Sequence, residues 1–231
     1  MGIIVATAVI SLWALHLVWI LFNLDISMVN PWLYFHILLQ AYLYTGLFIT
    51  AHDAMHGNIS NSGRVNGFFG YLTSFLFAGM NYNRLKKNHK LHHRFPASEK
   101  DPDYSVRSGN FFVWWGVFML RYLTLVQILI MAIIYNLLIL HPELSEQRVL
   151  LLWVLPAVLG TFQLFVTGVY WPHRLPHTTG MGPHRARTQH KNHLWALLSC
   201  YFFGYHREHH ENPRIAWWKL YKTKTVSGQK Q

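Results

Sequence analysis

Eight histidines fall in three clusters, His52-Asp-Ala-Met-His56, His89-Lys-Leu-His92-His93 and His206-Arg-Glu-His209-His210. Their offsets of three and four put side chains on one face of a helix, with roughly 5–6 Å between Cβ atoms. Each cluster can therefore aim its imidazoles at a common point. One ion takes at most about six ligands, and a catalytic site keeps a position open for water or substrate. Eight converging histidines thus imply two metal ions. Imidazole suits zinc, copper, iron and nickel alike, so spacing alone does not name the metal.

The neighbouring residues narrow the chemistry. A zinc-protease helix reads H-E-x-x-H, or H-x-x-E-H when inverted, and Glu208 has the wrong offset for either. A carboxylate-bridged di-iron bundle needs Glu-x-x-His pairs. Of Glu99, Glu143, Glu146, Glu208 and Glu211, none begins such a pair. Of the histidines outside the clusters, the isolated His16, His36 and His141 read as hydrogen-bonded structural residues.

The elements that must hold these clusters belong to a membrane protein. The chain has 231 residues, which by length is a single domain, 1–231. Hydrophobic residues make up 52 % and charged residues 13 %, about half the charge of an ordinary soluble domain. Four apolar runs, Ile3 to Phe22, Pro31 to Ala51, Tyr122 to Leu140 and Val149 to Trp171, are each long enough for a hydrocarbon core of about 30 Å. The first lacks a basic n-region and a small-residue cleavage site, so it reads as retained rather than as a cleaved signal peptide. Shorter apolar pieces, Phe68–Met80, Phe111–Leu120 and Leu194–Gly204, read as interfacial. The expected fold is all-α: four transmembrane helices with cytoplasmic interfacial helices carrying the two-metal site. Residues 219–231 read as a disordered tail. Cys200 is the one cysteine, which leaves no intrachain disulfide.

Charge orients the bundle. The net charge is +11. Four spans put the N-terminus, residues 52–110 and everything after Trp171 on one side. That side holds Arg84, Lys86, Lys87, Lys90, Arg94 and the basic stretch from Arg174 onward, while the other side has Arg148 alone. The positive-inside rule makes the basic side cytoplasmic, and all three clusters fall there. Lipid headgroups account for the juxtamembrane charge, and no nucleic-acid-binding signature is present. A transporter would place ligands along a path through mid-bilayer; here they gather at one face. Redox chemistry on a lipid-soluble substrate is the natural use.

These residues carry a family resemblance. The pattern H-x3-H, H-x2-HH, H-x2-HH with four spans resembles the membrane fatty-acid desaturase and hydroxylase superfamily, from about residue 40 to 220. Phe48-Ile-Thr-Ala-His-Asp-Ala-Met-His-Gly57, His92-His-Arg-Phe-Pro96 followed by Asp101-Pro-Asp103, Tyr170-Trp-Pro-His-Arg174, and Gly204-Tyr-His-Arg-Glu-His-His210 leading to Ala216-Trp-Trp218 are similar to bacterial and cyanobacterial β-carotene 4-ketolases. Two departures stand out: proline is usual where Ala216 stands, and Leu175 to His193 aligns poorly. The resemblance implies two non-haem irons held by His52, His56, His89, His92, His93, His206, His209 and His210, with His173 as a ninth ligand and His190 or His193 as its rivals. It implies dioxygen as co-substrate, reduced ferredoxin as donor, and oxidation of ring C4 to a ketone through successive hydroxylations, giving echinenone and then canthaxanthin. Ligating histidines need acceptors on their other ring nitrogens, and Asp53, Asp101, Asp103, Glu208 and Glu211 stand beside the boxes, where the alternative role is cap or turn. Carotenoid 3-hydroxylase and acyl-lipid desaturase share the boxes; a metal-binding or transport protein is the alternative of a different class.

Overall fold

The computed structural model describes residues 1–224, and those residues contain helices and no strands. Helix α1 (Gly2–Asn23) turns back through a seven-residue loop into α2 (Pro31–His56). Pro31 sits at the first helical position of α2, where its missing N–H is no loss, and the Asn30 side chain accepts from the Trp32 N–H. The two helices run antiparallel: His16 Nδ1 lies 2.5 Å from Gln40 Oε1 and its Nε2 lies 3.0 Å from His36 Nδ1, while Trp13 packs edge-on against Tyr44. His16 and His36 are therefore structural. His141 accepts from the Glu143 N–H in the loop before the last long helix.

Helix α3 (Gly63–Ala78) lies against α2, and α4 (Tyr82–Arg94) begins at an Asn81 cap. A long helix, α7 (Glu146–His173), packs along α2 at Gly160, beside the Ala41 carbonyl, and through Thr45 Oγ1, which donates to Gln163 Oε1 at 2.6 Å. It opens into π-helix at Leu150–Val154 and Val166–Tyr170, each shortly before a proline, Pro156 and Pro172. A proline ring lacks the N–H and crowds the carbonyl four residues back, and widening the turn accommodates it. Arg148 ties α7 to the end of α1 by donating to the carbonyls of Ile20, Leu21 and Leu24. Helices α8 (His193–Cys200) and α9 (His206–Glu211) complete the site end.

Among the described residues, three helices are long and apolar enough to cross a membrane, α1, α2 and α7, or up to four if a bent pair is one span. That pair is α5 (Phe111–Tyr122) and α6 (Leu125–Ile139), whose axes meet at 86°. The uncharged run from Tyr122 to Leu140 is thus not one straight helix. Leu123 is extended, and Thr124 caps α6 by accepting from the Gln127 N–H. The end of α5 is pinned instead to the segment after α4: Arg121 Nη1 donates to the carbonyls of Pro102 and Tyr104, and the Tyr122 hydroxyl to Asp103. At 1.5 Å per residue, the 15 residues of α6 reach about 22 Å, less than a full hydrocarbon core. Its outer face, with Leu125, Val126 and Leu137, is exposed and apolar.

A second correction concerns the C-terminal end. Trp217–Thr223 forms a 3-10 helix and Lys224 is buried, so Lys219 to Lys224 are ordered rather than tail. Residues 225–231 of the expected tail lie outside the described residues.

The α3–α4 contact closes at Gly70, where an added Cβ would fall within the ring of Tyr82, itself 2 % exposed. Overpacking of this kind costs about 1–3 kcal/mol. Gly70→Ala should therefore lower the thermal midpoint of the detergent-solubilised protein and, because Tyr82 begins the helix that carries His89, His92 and His93, weaken metal retention with it.

Candidate metal centre

Four elements deliver nine imidazoles to one place. The last turn of α2 presents His52 and His56, closed by Gly57 in the left-handed region at φ 77°. One face of α4 presents His89, His92 and His93. The short α9 presents His206, His209 and His210, all buried, after a tight turn with positive φ at Tyr201 and Phe202. His173 arrives from the end of α7, where the π-helical stretch before Pro172 sets its direction.

The imidazoles form two groups, within each of which the ligand atoms lie within 4.8 Å of one another. His52, His56, His89, His93 and His209 make one, and His92, His173, His206 and His210 the other. Every close contact is between Nε2 atoms: His56–His89 at 2.7 Å, His52–His209 at 3.1 Å, His93–His209 at 3.0 Å, His92–His210 and His206–His210 at 3.1 Å, and His173–His206 at 3.0 Å. A neutral Nε2 offers one proton or one lone pair, yet those of His206, His209 and His210 each meet two others. Mutual hydrogen bonding cannot satisfy such a set; a shared cation can. The spacing also matches adjacent ligands around a metal, since a metal–nitrogen bond of about 2.1 Å at right angles gives an edge of about 3.0 Å. The donor set therefore fits two metal ions.

Electrostatics favour the ligating form. Burial, reinforced by neighbouring imidazoles, pushes His89, His206, His209 and His210 well below the usual histidine range, and His93 down to about 2. These rings are neutral and keep lone pairs available for metal. His92 differs. Burial alone would lower it, but the charge and hydrogen bond of Asp101, helped by Asp103, hold it above its usual value.

The carboxylates divide. Asp101 meets His92 Nδ1 at 3.0 Å and also accepts from the N–H groups of Ala97 and Asp103, so it is both turn residue and histidine partner. Asp103 stands 3.8 Å from His92 Nδ1 and takes the Tyr122 hydroxyl. Asp53 accepts from the Trp217 N–H at 3.1 Å and lies 3.8 Å from His52 Nδ1, beyond hydrogen-bond reach. Glu208, expected beside a ring nitrogen, instead pairs with Lys224 at 2.9 Å and Thr188 at 2.5 Å; Glu211 is exposed beside Arg207. His190 is exposed and His193 Nδ1 meets the Tyr205 hydroxyl at 3.0 Å, so neither rival of His173 joins the groups. Sequence reasoning missed the partner of His173 Nδ1, the Arg185 carbonyl at 3.1 Å, because a backbone acceptor leaves no signature in residue types. It also missed Lys224, although a carboxylate flanked by buried histidines calls for a buried cation.

An apolar cavity of about 560 Å³ opens onto this centre. His52, His89, His92 and Asp103 line one end, and Leu150 and Trp153 the other. From Leu150 to Gly168 the wall follows α7 for about 27 Å.

Removing an outer partner of a ligating histidine weakens metal affinity about 10–100-fold. Asp101→Asn should lose metal to a chelator at a correspondingly lower concentration, read by metal analysis of purified protein; retention equal to the unsubstituted chain would show that the contact with His92 tunes nothing.

Comparison with known proteins agrees with this geometry. Residues 30–148 match the family described as Fatty acid desaturase. A protein named zeaxanthin 4-ketolase from Chlamydomonas reinhardtii is 36 % identical over 98 % of this chain, which spans 54 % of that longer protein. A β-carotene ketolase from Paracoccus sp. (strain PC1) is 35 % identical over 81 % of this chain and 77 % of its own length, and a β-carotene 4-ketolase from Protosiphon botryoides is 31 % identical over 99 % of this chain. No solved structure matches. With a relative of this identity covered over more than two thirds of its length, the chain belongs to the fatty acid desaturase family, on a branch whose similar members are named carotenoid ketolases.

Proposed function

We propose that this chain is a membrane di-iron oxygenase that oxidises ring carbon C4 of β-carotene to a ketone. The observation that carries the reading is the convergence of nine Nε2 donors at the end of a long apolar cavity, in a chain similar to proteins named β-carotene ketolase and β-carotene 4-ketolase. His52, His56, His89, His93 and His209 would hold one iron, and His92, His173, His206 and His210 the other. Iron bound there supplies dioxygen activation: with two electrons and two protons per round, one oxygen atom enters a C–H bond and the other leaves as water. Two rounds at C4 give a geminal diol, which loses water to become the ketone, so echinenone and then canthaxanthin follow as one ring and then both react.

The chain's residues supply position and dryness. The apolar wall holds the polyene, which is about as long as a hydrocarbon core is thick, so one ring reaches the histidine end while the rest stays among side chains. Phe203 stacks on His209 and lies edge-on to His52, closing the centre from the apolar side. Asp101 and the Arg185 carbonyl fix the ring orientation of His92 and His173. We place the centre at the cytoplasmic face, on the strength of the basic loops. Lys86, Lys87, Lys90 and Arg94 gather beside one shallow depression on α4, and this charge complements an acidic donor such as reduced ferredoxin.

Expression in bacteria that accumulate β-carotene should yield echinenone and canthaxanthin by pigment chromatography. Zeaxanthin as the product would replace this reading with 3-hydroxylation, and unchanged carotene alongside iron-loaded protein would point to acyl chains. His92→Ala should abolish ketone formation and reduce iron below two per chain, whereas His16→Ala, remote from both groups, should retain the activity; full activity in His92→Ala would sink the proposed ligand set.

A further inference from the structure

Among the residues of α6, a single position is buried, and it is the amide Gln127. The rest of that helix is exposed or half-buried apolar surface apart from Tyr135 and Asn136. Gln127 is 7 % exposed and lines the cavity. Its backbone N–H is taken by Thr124 Oγ1, but among the described residues its side-chain amide has no hydrogen-bond partner. Two other polar groups of the wall away from the imidazoles are engaged: the Thr161 hydroxyl donates to the Ala157 carbonyl, and the Tyr122 hydroxyl to Asp103. Tyr135, two turns further along the same face, is only half-buried. An amide between apolar walls is costly unless something pairs with it, and polar groups at membrane depth mark places where substrate is handled.

Gln127 belongs to the histidine end of the cavity. It lies one turn past the elbow whose Tyr122 meets Asp103, the residue 3.8 Å from His92. Unsubstituted β-carotene has no atom that can satisfy an amide. A ring bearing a hydroxyl can accept from its NH₂ or donate to its oxygen, and a ring ketone can accept. We infer that Gln127 is a specificity-determining residue that hydrogen-bonds an oxygen substituent on the carotenoid ring nearest the histidines, so that rings already bearing oxygen are preferred over bare hydrocarbon rings. The inference rests on the ketolase reading. It has a consequence for product pattern: a ring hydroxylated once is held for its second oxidation rather than released as the alcohol.

The net contribution of one neutral hydrogen bond, about 1 kcal/mol, corresponds to discrimination of about five- to tenfold. Membranes containing the full chain would be given equal amounts of β-carotene and its 3,3′-dihydroxy derivative, and both ketone products measured. Gln127→Leu should lower the ratio of ketolated dihydroxycarotenoid to ketolated β-carotene about five- to tenfold. Gln127→Met, which keeps the side-chain length without the amide, should shift it the same way and decides the matter if the leucine variant fails to accumulate. A ratio within twofold of the unsubstituted chain, or both products falling together, would overturn the assignment while leaving the ketolase reading intact. No ketone from either pigment with the unsubstituted chain would overturn both.

Discussion

Nine imidazole nitrogens meeting in one small volume is the constraint on which the other features depend. Nitrogen lone pairs about 3 Å apart repel unless a cation lies between them, and the rings that carry them are buried or, for His56, His89 and His93, half-buried. No single helix can supply such a set. The end of α2, one face of α4, the six-residue α9 and the last residue of α7 must arrive together. Much of the remaining architecture serves that meeting: Gly57 ends α2 immediately after its second histidine, the Asp101–Asp103 segment folds back on α4, and π-helical turns adjust the direction in which α7 ends.

The same end of the molecule carries its polar reinforcement, and the other end is left for packing and lipid. Lys224 and Glu208 form a buried pair beneath α9, an arrangement that breaks badly if one partner is lost, because the other stays charged and buried. Away from the centre, Leu33, Leu47 and Leu152 make a core with no polar demands, while exposed leucines and valines on α1 and α6 face outward. The imidazoles are thus gathered where the long apolar helices end.

The meeting of the three boxes was legible because helical offsets of three and four are written directly in residue positions, and each box keeps one face. His173 was legible through the Trp-Pro-His-Arg resemblance, and its separation from His190 and His193 required the fold. The elbow at Thr124 was hidden, since an uncharged run from Tyr122 to Leu140 has the same composition whether the helix continues or turns by 86°. What turns it is a set of tertiary bonds from Arg121 and Tyr122 to residues some 20 positions earlier. Lys224 was misread for a related reason: a charged, polar end resembles solvated chain, and only the carboxylate at Glu208 reveals where that charge belongs. Glu208 and Glu211 stand beside ligands in sequence, yet helix geometry turns them away from the ring nitrogens.

Helix α6 is a wall one helix thick. Its inner face carries Gln127, Met131 and Tyr135, and its outer face is exposed and apolar. Under the proposed function, with that face against lipid, a hydrocarbon guest has its reservoir directly behind the partition rather than in the aqueous phase. The concentration that governs occupancy is a mole fraction in the plane of the lipid, so dilution with inert phospholipid slows turnover where added buffer does not. Membrane composition becomes, in effect, a kinetic variable of the protein.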